Sequence, residues 1–129
     1  MANITKNFLG NELRMTGTPD GNAITNLYSL TTNSSGAVVD SNVATGIASG
    51  DVVRMGILPA GMRLDDAKTI VSTGMTATIT GKLGFAYVDG VDSTDVPQDD
   101  DYFGTGITIA TAGRYAASNT AVRPVTLPK

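Results

Sequence analysis

Three features of the sequence predict an all-β fold. Threonine, glycine, alanine, valine and asparagine dominate the composition, and glutamate occurs only at Glu12. That profile favours strands and turns over helices. No segment sustains an apolar period near 3.6, whereas several alternate with a period of two. Short alternating runs recur about every ten residues between clusters of glycine, proline, asparagine and aspartate, which is the spacing of a sandwich or barrel. About eight short strands are expected. The pattern alone does not choose between a jelly roll, an immunoglobulin-like sandwich and a small barrel.

Residues Met1 to Met15 lack clean alternation, and Phe8 and Leu13 stand as apolar anchors in a polar, asparagine-rich stretch. This stretch reads as an N-terminal arm (1–15) ahead of a single β domain (16–129). Thr18 to Asn22 is a turn cluster. Ile24 to Thr31 reads as a strand, Asn33 to Gly36 as a loop, and Val38-Val39 as a short strand. Asp40 to Ser49 is ambiguous, because Val43, Ala44, Ile47 and Ala48 are spaced for one helical turn.

The clearest stretch is Gly50 to Leu64. Val52 to Leu58 alternates with Val53, Met55 and Ile57 on one face. Leu58-Pro59-Ala60-Gly61 then reads as a tight turn with proline second and glycine fourth. Met62 to Leu64 resumes an extended run, so a hairpin is expected. Asp65-Asp66 interrupts the parity, and a bulge there would carry the strand on to Lys68–Ser72. Met75 to Thr80 alternates, Gly81 punctuates, and Leu83, Phe85 and Tyr87 form the next inward set. Asp89 to Asp101 is an acidic loop, Ile107 and Ile109 mark a strand, and Ala112-Gly113 turns the chain. Ala121 to Leu127 is a last strand. Pro124 places it at an edge or at a bulge, since proline cannot donate to a ladder. The expected core is Val53, Met55, Ile57, Leu64, Ile79, Leu83, Phe85, Ile107 and Ile109.

Composition excludes several chemistries. There is no cysteine and no histidine, which removes thiol chemistry, the commonest general base and the commonest metal ligand. The net charge of −3 argues against nucleic acid as a partner. No apolar run approaches the roughly 20 residues of a membrane span, and the opening MANITKNFLG does not read as a signal peptide. No cofactor or metal is expected, and no catalytic residue is assigned.

Asp89, Asp92, Asp95, Asp99, Asp100 and Asp101 hold half of the carboxylates. Oxygen-rich loops of this kind bind calcium, but the EF-hand glycine and terminal glutamate are missing, and a solvated, pairing-resistant loop explains the charges. Asp65 and Asp66 are adjacent, so on a strand they point to opposite faces and do not flank one glycosidic bond. Neither Gly46 to Gly50 nor Gly104 to Gly106 has the spacing of a nucleophile elbow or a dinucleotide loop. Arg54, Arg63, Arg114 and Arg123 are candidate partner contacts, with surface solubility as the plainer explanation. The four tyrosines, Tyr28, Tyr87, Tyr102 and Tyr115, would suit a sugar platform only if exposed, and core packing is the expectation.

The segment order from Ser49 to Arg114 carries a resemblance. It runs Gly-Asp, strand, Leu-Pro-Ala-Gly, a strand with Asp-Asp and a glycine-broken strand pair. KLGFAYVDG, an acidic loop, Asp101-Tyr102-Phe103-Gly104 and Ile109 to Arg114 follow. This resembles the small capsid cement, or decoration, proteins of tailed bacteriophages. The resemblance implies a jelly-roll-like β-sandwich on the outer surface of the phage head. Its implied partners are the major capsid protein, whose neighbouring subunits it clamps, and further copies of itself. The family has no catalytic residues to carry over. Phe8, Leu13, Arg54, Arg63 and Arg114 are the expected partner contacts. The alternative is a carbohydrate-binding β-sandwich of a phage adhesion or tail protein, marked by an exposed aromatic shelf.

Overall fold

The computed structural model describes residues 1–7, 13–14, 25–75, 78–117 and 124–129. Among them every regular element is a strand and none is a helix, so the chain is all-β. The strands pair two by two into separate ladders. These ladders do not by themselves make the two facing sheets of a jelly roll. The chain forms two compact units, Met1–Leu58 and Pro59–Lys129.

The first unit holds β1 (Asn3–Thr5), β2 (Leu13–Arg14), β3 (Asn26–Leu27) and β4 (Val52–Arg54). β1 runs parallel to β4 with Ile4 opposite Val53, and β2 runs antiparallel to β3 with Leu13 opposite Leu27. The opposite edge of β1 is also paired. The Asn42 amide donates to the Thr5 carbonyl at 3.0 Å, and the Asn7 amide donates to the Asp40 carbonyl at 2.7 Å. Residues 1–7 are therefore built into this unit, although the first fifteen residues read as an arm. Three residues are too few to display alternation, and Ile4 alone carries the burial, at 1% exposure. Ala37 and Val38 are buried with it. Lys6 is buried too, and its ammonium donates to the Ser29 carbonyl at 2.8 Å.

The loop Asn33–Gly36 is a turn, as expected. The Asn33 side chain accepts from the amides of Ser35 and Ala37, which closes Thr32 against Val38 in a single bridge. Residues Asp40 to Ser49 contain no helical turn. Asp51 instead closes this segment, its carboxylate accepting from Ala2 at 2.7 Å and Ala48 at 2.9 Å. Within the expected strand Ile24–Thr31 only Asn26–Leu27 pairs as β3. Ile24 and the turn cluster Thr18–Asn22 lie outside the described residues.

The second unit holds β5 (Arg63–Leu64), β6 (Lys68–Val71), β7 (Thr80–Phe85), β8 (Asp99–Thr108), β9 (Gly113–Ala116) and β10 (Val125–Thr126). The central hairpin expected across Pro59 does not form. β4 pairs with β1, and β5 pairs with β10. The turn itself exists one residue later, at Pro59–Met62, where the Met62 amide donates to the Pro59 carbonyl at 3.3 Å. Gly61 sits third with φ +80°, a conformation a side chain disfavours. Its amide donates to the Leu127 carbonyl, so the turn feeds the chain into the ladder with β10. Asp65-Asp66 is a break and not a bulge, because the chain leaves β10 and pairs next, as β6, with β9. β9 itself was not anticipated.

β7 and β8 form the longest ladder, and Gly81 lies inside β7. The register slips twice. Gly81 faces Ile107, Leu83 faces Gly104, and Phe85 faces Asp99, so β8 carries extra residues at both steps. Gly84 permits the second slip, because a Cβ there would overlap the carbonyl oxygen of Asp99. The slips break alternation, and three consecutive residues, Tyr102, Phe103 and Gly104, are buried. Phe85 packs edge-on against Tyr102 at 5.4 Å and against Tyr87 at 6.0 Å, and Tyr102 packs against Phe103 at 4.8 Å. Leu64, Val71, Ile107 and Leu127 complete the buried set.

Of the expected core, Leu64 and Ile107 are buried, and Val53, Met55, Ile79, Leu83, Phe85 and Ile109 are half-buried. Ile57 is 49% exposed, because β4 ends at Arg54 and its alternation stops there. Thr78 is a turn residue with φ +71°, so the strand expected over Met75–Thr80 is interrupted there, and Thr76 and Ala77 lie outside the described residues.

Candidate functional site

The described arginines among the sequence-predicted contact residues are divided between the two units. Arg54 lies exposed on β4 of the first unit, while Arg63 and Arg114 lie exposed on β5 and β9 of the second. Arg63 is already engaged, its Nε donating to the Asp65 carboxylate at 2.7 Å. This pair is about two-thirds exposed on both sides, so it adds little stability. Arg114 faces Ile70 across the β6–β9 ladder. Phe8, Arg123 and the side chain of Leu13 lie outside the described residues.

The acidic loop divides into two parts with different roles. Residues 86–98 are braced by their own polar groups. The Gly90 amide donates to the Tyr87 carbonyl at 3.1 Å, and the Asp89 carboxylate accepts from the Val91 amide at 2.9 Å. Asp89 also meets the Lys129 ammonium at 2.7 Å, and that ammonium lies 5.0 Å above the Tyr87 ring. The Asp92 carboxylate accepts from Ser93 at 2.8 Å and from Gln98 at 2.7 Å, and the Tyr87 hydroxyl donates to Val96 at 2.7 Å. The Lys129 partner and the Val91 amide hold the Asp89 carboxyl below the usual carboxylate range.

The second part, Asp99–Asp101, begins β8. Neighbours on a regular strand point to opposite faces. The register slip beside Phe85 instead gathers these three carboxylates to within 4.8 Å of one another. The Asp99 side chain raises the Asp101 carboxyl above its ordinary value, first by hydrogen bonding to it and then with burial and charge. Lys82 lies across the ladder, 3.2 Å from Asp100 and 3.8 Å from Asp101. Oxygen ligands in this density suit a hard cation, but an ammonium already occupies the approach to two of the three.

Asp65 and Asp66 are both turned to local duties, one on Arg63 and one on the Ala67 amide. None of the described aromatic residues is fully exposed. Tyr87, Tyr102 and Phe103 are buried, and Tyr28, Phe85 and Tyr115 are half-buried. Each tyrosine hydroxyl donates to a backbone carbonyl: Tyr28 to Ile57, Tyr87 to Val96, Tyr102 to Leu64 and Tyr115 to Thr111. No exposed aromatic shelf exists among the described residues.

What the sequence reading missed is apolar. Val88 is 79% exposed and Val91 61% exposed, on either side of the Asp89-Gly90 turn, and Ile70 is 58% exposed on β6. The signal was present as two valines bracketing a turn, but aspartates on all sides made the segment read as a solvated loop. No family model matches the chain, and neither a curated protein nor a solved structure shows significant similarity to it.

Proposed function

We propose that this chain is a structural virion protein, a cement protein that binds the outside of a tailed-phage head. There it stabilises contacts between major capsid protein subunits, without catalysis and without a cofactor. The observation that carries the reading is the placement of apolar side chains. Val88, Val91, Ile70, Ile57, Val52, Val39 and Leu27 stand exposed among the described residues. Val88 and Val91 bracket one turn, and apolar side chains grouped at the surface in this way mark protein contacts, whereas single exposed ones are ordinary. Strands joined by close turns and braced loops supply the stiffness that a shell under internal pressure requires. The segment order from Ser49 to Arg114 supports the same reading through its resemblance to cement proteins.

A carbohydrate-binding role has no comparable support, because the tyrosines spend their hydroxyls on the chain's own carbonyls. The test is co-sedimentation of the purified protein with assembled phage heads stripped of decoration. Saturable binding to heads, with none to free capsid subunits, is the expected result. Absence of binding to heads at every protein concentration overturns the proposal.

A further inference from the structure

We infer that the Val88–Val91 tip of one copy docks on the Lys68–Ile70–Arg114 face of a second copy. Both surfaces belong to the same compact unit. On the tip, two exposed valines lie in a segment that also exposes Asp89, Asp92 and Asp95, and of these Asp89 is paired with the Lys129 ammonium. On the β6–β9 ladder, the side chains of Lys68, Ile70, Arg114 and Ala116 are the exposed ones, with Ile70 opposite Arg114 and Lys68 opposite Ala116. One surface joins two valines to a segment that stays net acidic with Lys129 counted, and the other joins Ile70 to the cations of Lys68 and Arg114. Each offers what the other lacks, and complementary charge around an apolar centre sets register and excludes wrong partners.

The tip is also prepared for contact. Its turn is closed by Gly90 on Tyr87 and by Asp89 on Val91, and Asp92 ties its far side to Gln98. A segment already held in shape loses less freedom on docking than a loose one. The two surfaces differ, so the contact is head to tail. Repetition of such a contact gives a ring where the rotation closes and a chain of subunits where it does not.

The purified protein alone suffices for the test, so its outcome is separate from that of head binding. Sedimentation velocity of the full chain is expected to show concentration-dependent association that weakens with salt. Three variants then discriminate: Val88→Asp with Val91→Asp, Lys68→Glu with Arg114→Glu, and Asp95→Lys. All the altered side chains are exposed, and circular dichroism checks that each variant is folded. Each is expected to weaken association by about tenfold or more, the effect of losing a central contact. Mixing the Asp95→Lys variant with the Lys68→Glu, Arg114→Glu variant is expected to restore association, because the unaltered tip of the second variant meets the unaltered face of the first. A wild-type protein that stays monomeric overturns the inference. So do folded variants that associate like the wild type, or a mixture that does no better than its components.

Discussion

Replacing Ile4 with alanine tests whether the N-terminal strand belongs to the body of the first unit. Ile4 is 1% exposed, and β1 is hydrogen-bonded along both edges. The change removes three carbon atoms, worth about 2.4 kcal/mol at ~0.8 kcal/mol per buried methylene. The cavity left behind brings the expected loss to about 3 kcal/mol, within the ~2–5 kcal/mol seen for such truncations. Val52, on the neighbouring strand, is the control. It is 46% exposed, so Val52→Ala should cost less than about 1 kcal/mol. Urea unfolding gives the overall effect. Hydrogen exchange at the Asn42 and Val52 amides localises it, since they donate to Thr5 and Ala2 respectively. An Ile4→Ala loss below about 1 kcal/mol, or exchange at those amides unchanged, would refute the reasoning. Residues 1–7 would then be the detached arm that their lack of alternation suggests.

Gly84→Ala should destabilise by about 2 kcal/mol or more, because the new methyl meets the rigid carbonyl of Asp99; equal denaturant midpoints for variant and wild type would show that the slipped register relaxes freely. Phe85→Ala should cost about 3 kcal/mol in urea, at the low end for phenylalanine because the ring is half-buried against Tyr87 and Tyr102. The Asp51 carboxyl is held low by the backbone amides of Ala2 and then Ala48. Its folded pKa lies below its unfolded one, so its contribution is present above the unfolded value near 3.8 and is lost as pH falls through the folded value. The acid limb of a stability–pH profile should therefore flatten in Asp51→Asn. Asp101 has the opposite sign: its carboxyl is raised, so its contribution is present below the unfolded value and is lost as pH rises through the folded one. Thermal unfolding with and without a chelator should coincide, since Lys82 already partners Asp100 and Asp101; a lower midpoint with chelator would reveal a bound cation.

The all-β class was legible in the chain because it rests on local properties. Threonine, valine and glycine set backbone preference residue by residue, and the absence of a 3.6 period is visible without a partner strand. Turns were legible for the same reason. Asn33–Gly36 and Pro59–Gly61 carry their geometry in their own φ preferences. That the chain lacks cysteine and histidine was equally plain. Strand pairing was not legible. Val52–Arg54 and Arg63–Leu64 lie on either side of a tight turn, yet one pairs with Asn3–Thr5 and the other with Val125–Thr126. Nothing local specifies a partner 49 or 61 residues away, such as Asn3 for Val52 or Val125 for Leu64. Burial followed pairing, so Ile57 was expected inside and stands outside, while Ile4 was expected on an arm and is the most buried side chain among the described residues. The register slips of β8 were hidden too. They gather Asp99, Asp100 and Asp101 and bury Tyr102 beside Phe103, against the period-two rule from which strands are read. The tertiary structure decided these features because a slip depends on how closely two backbones approach, here at Gly84, and that distance exists only once both strands are in place.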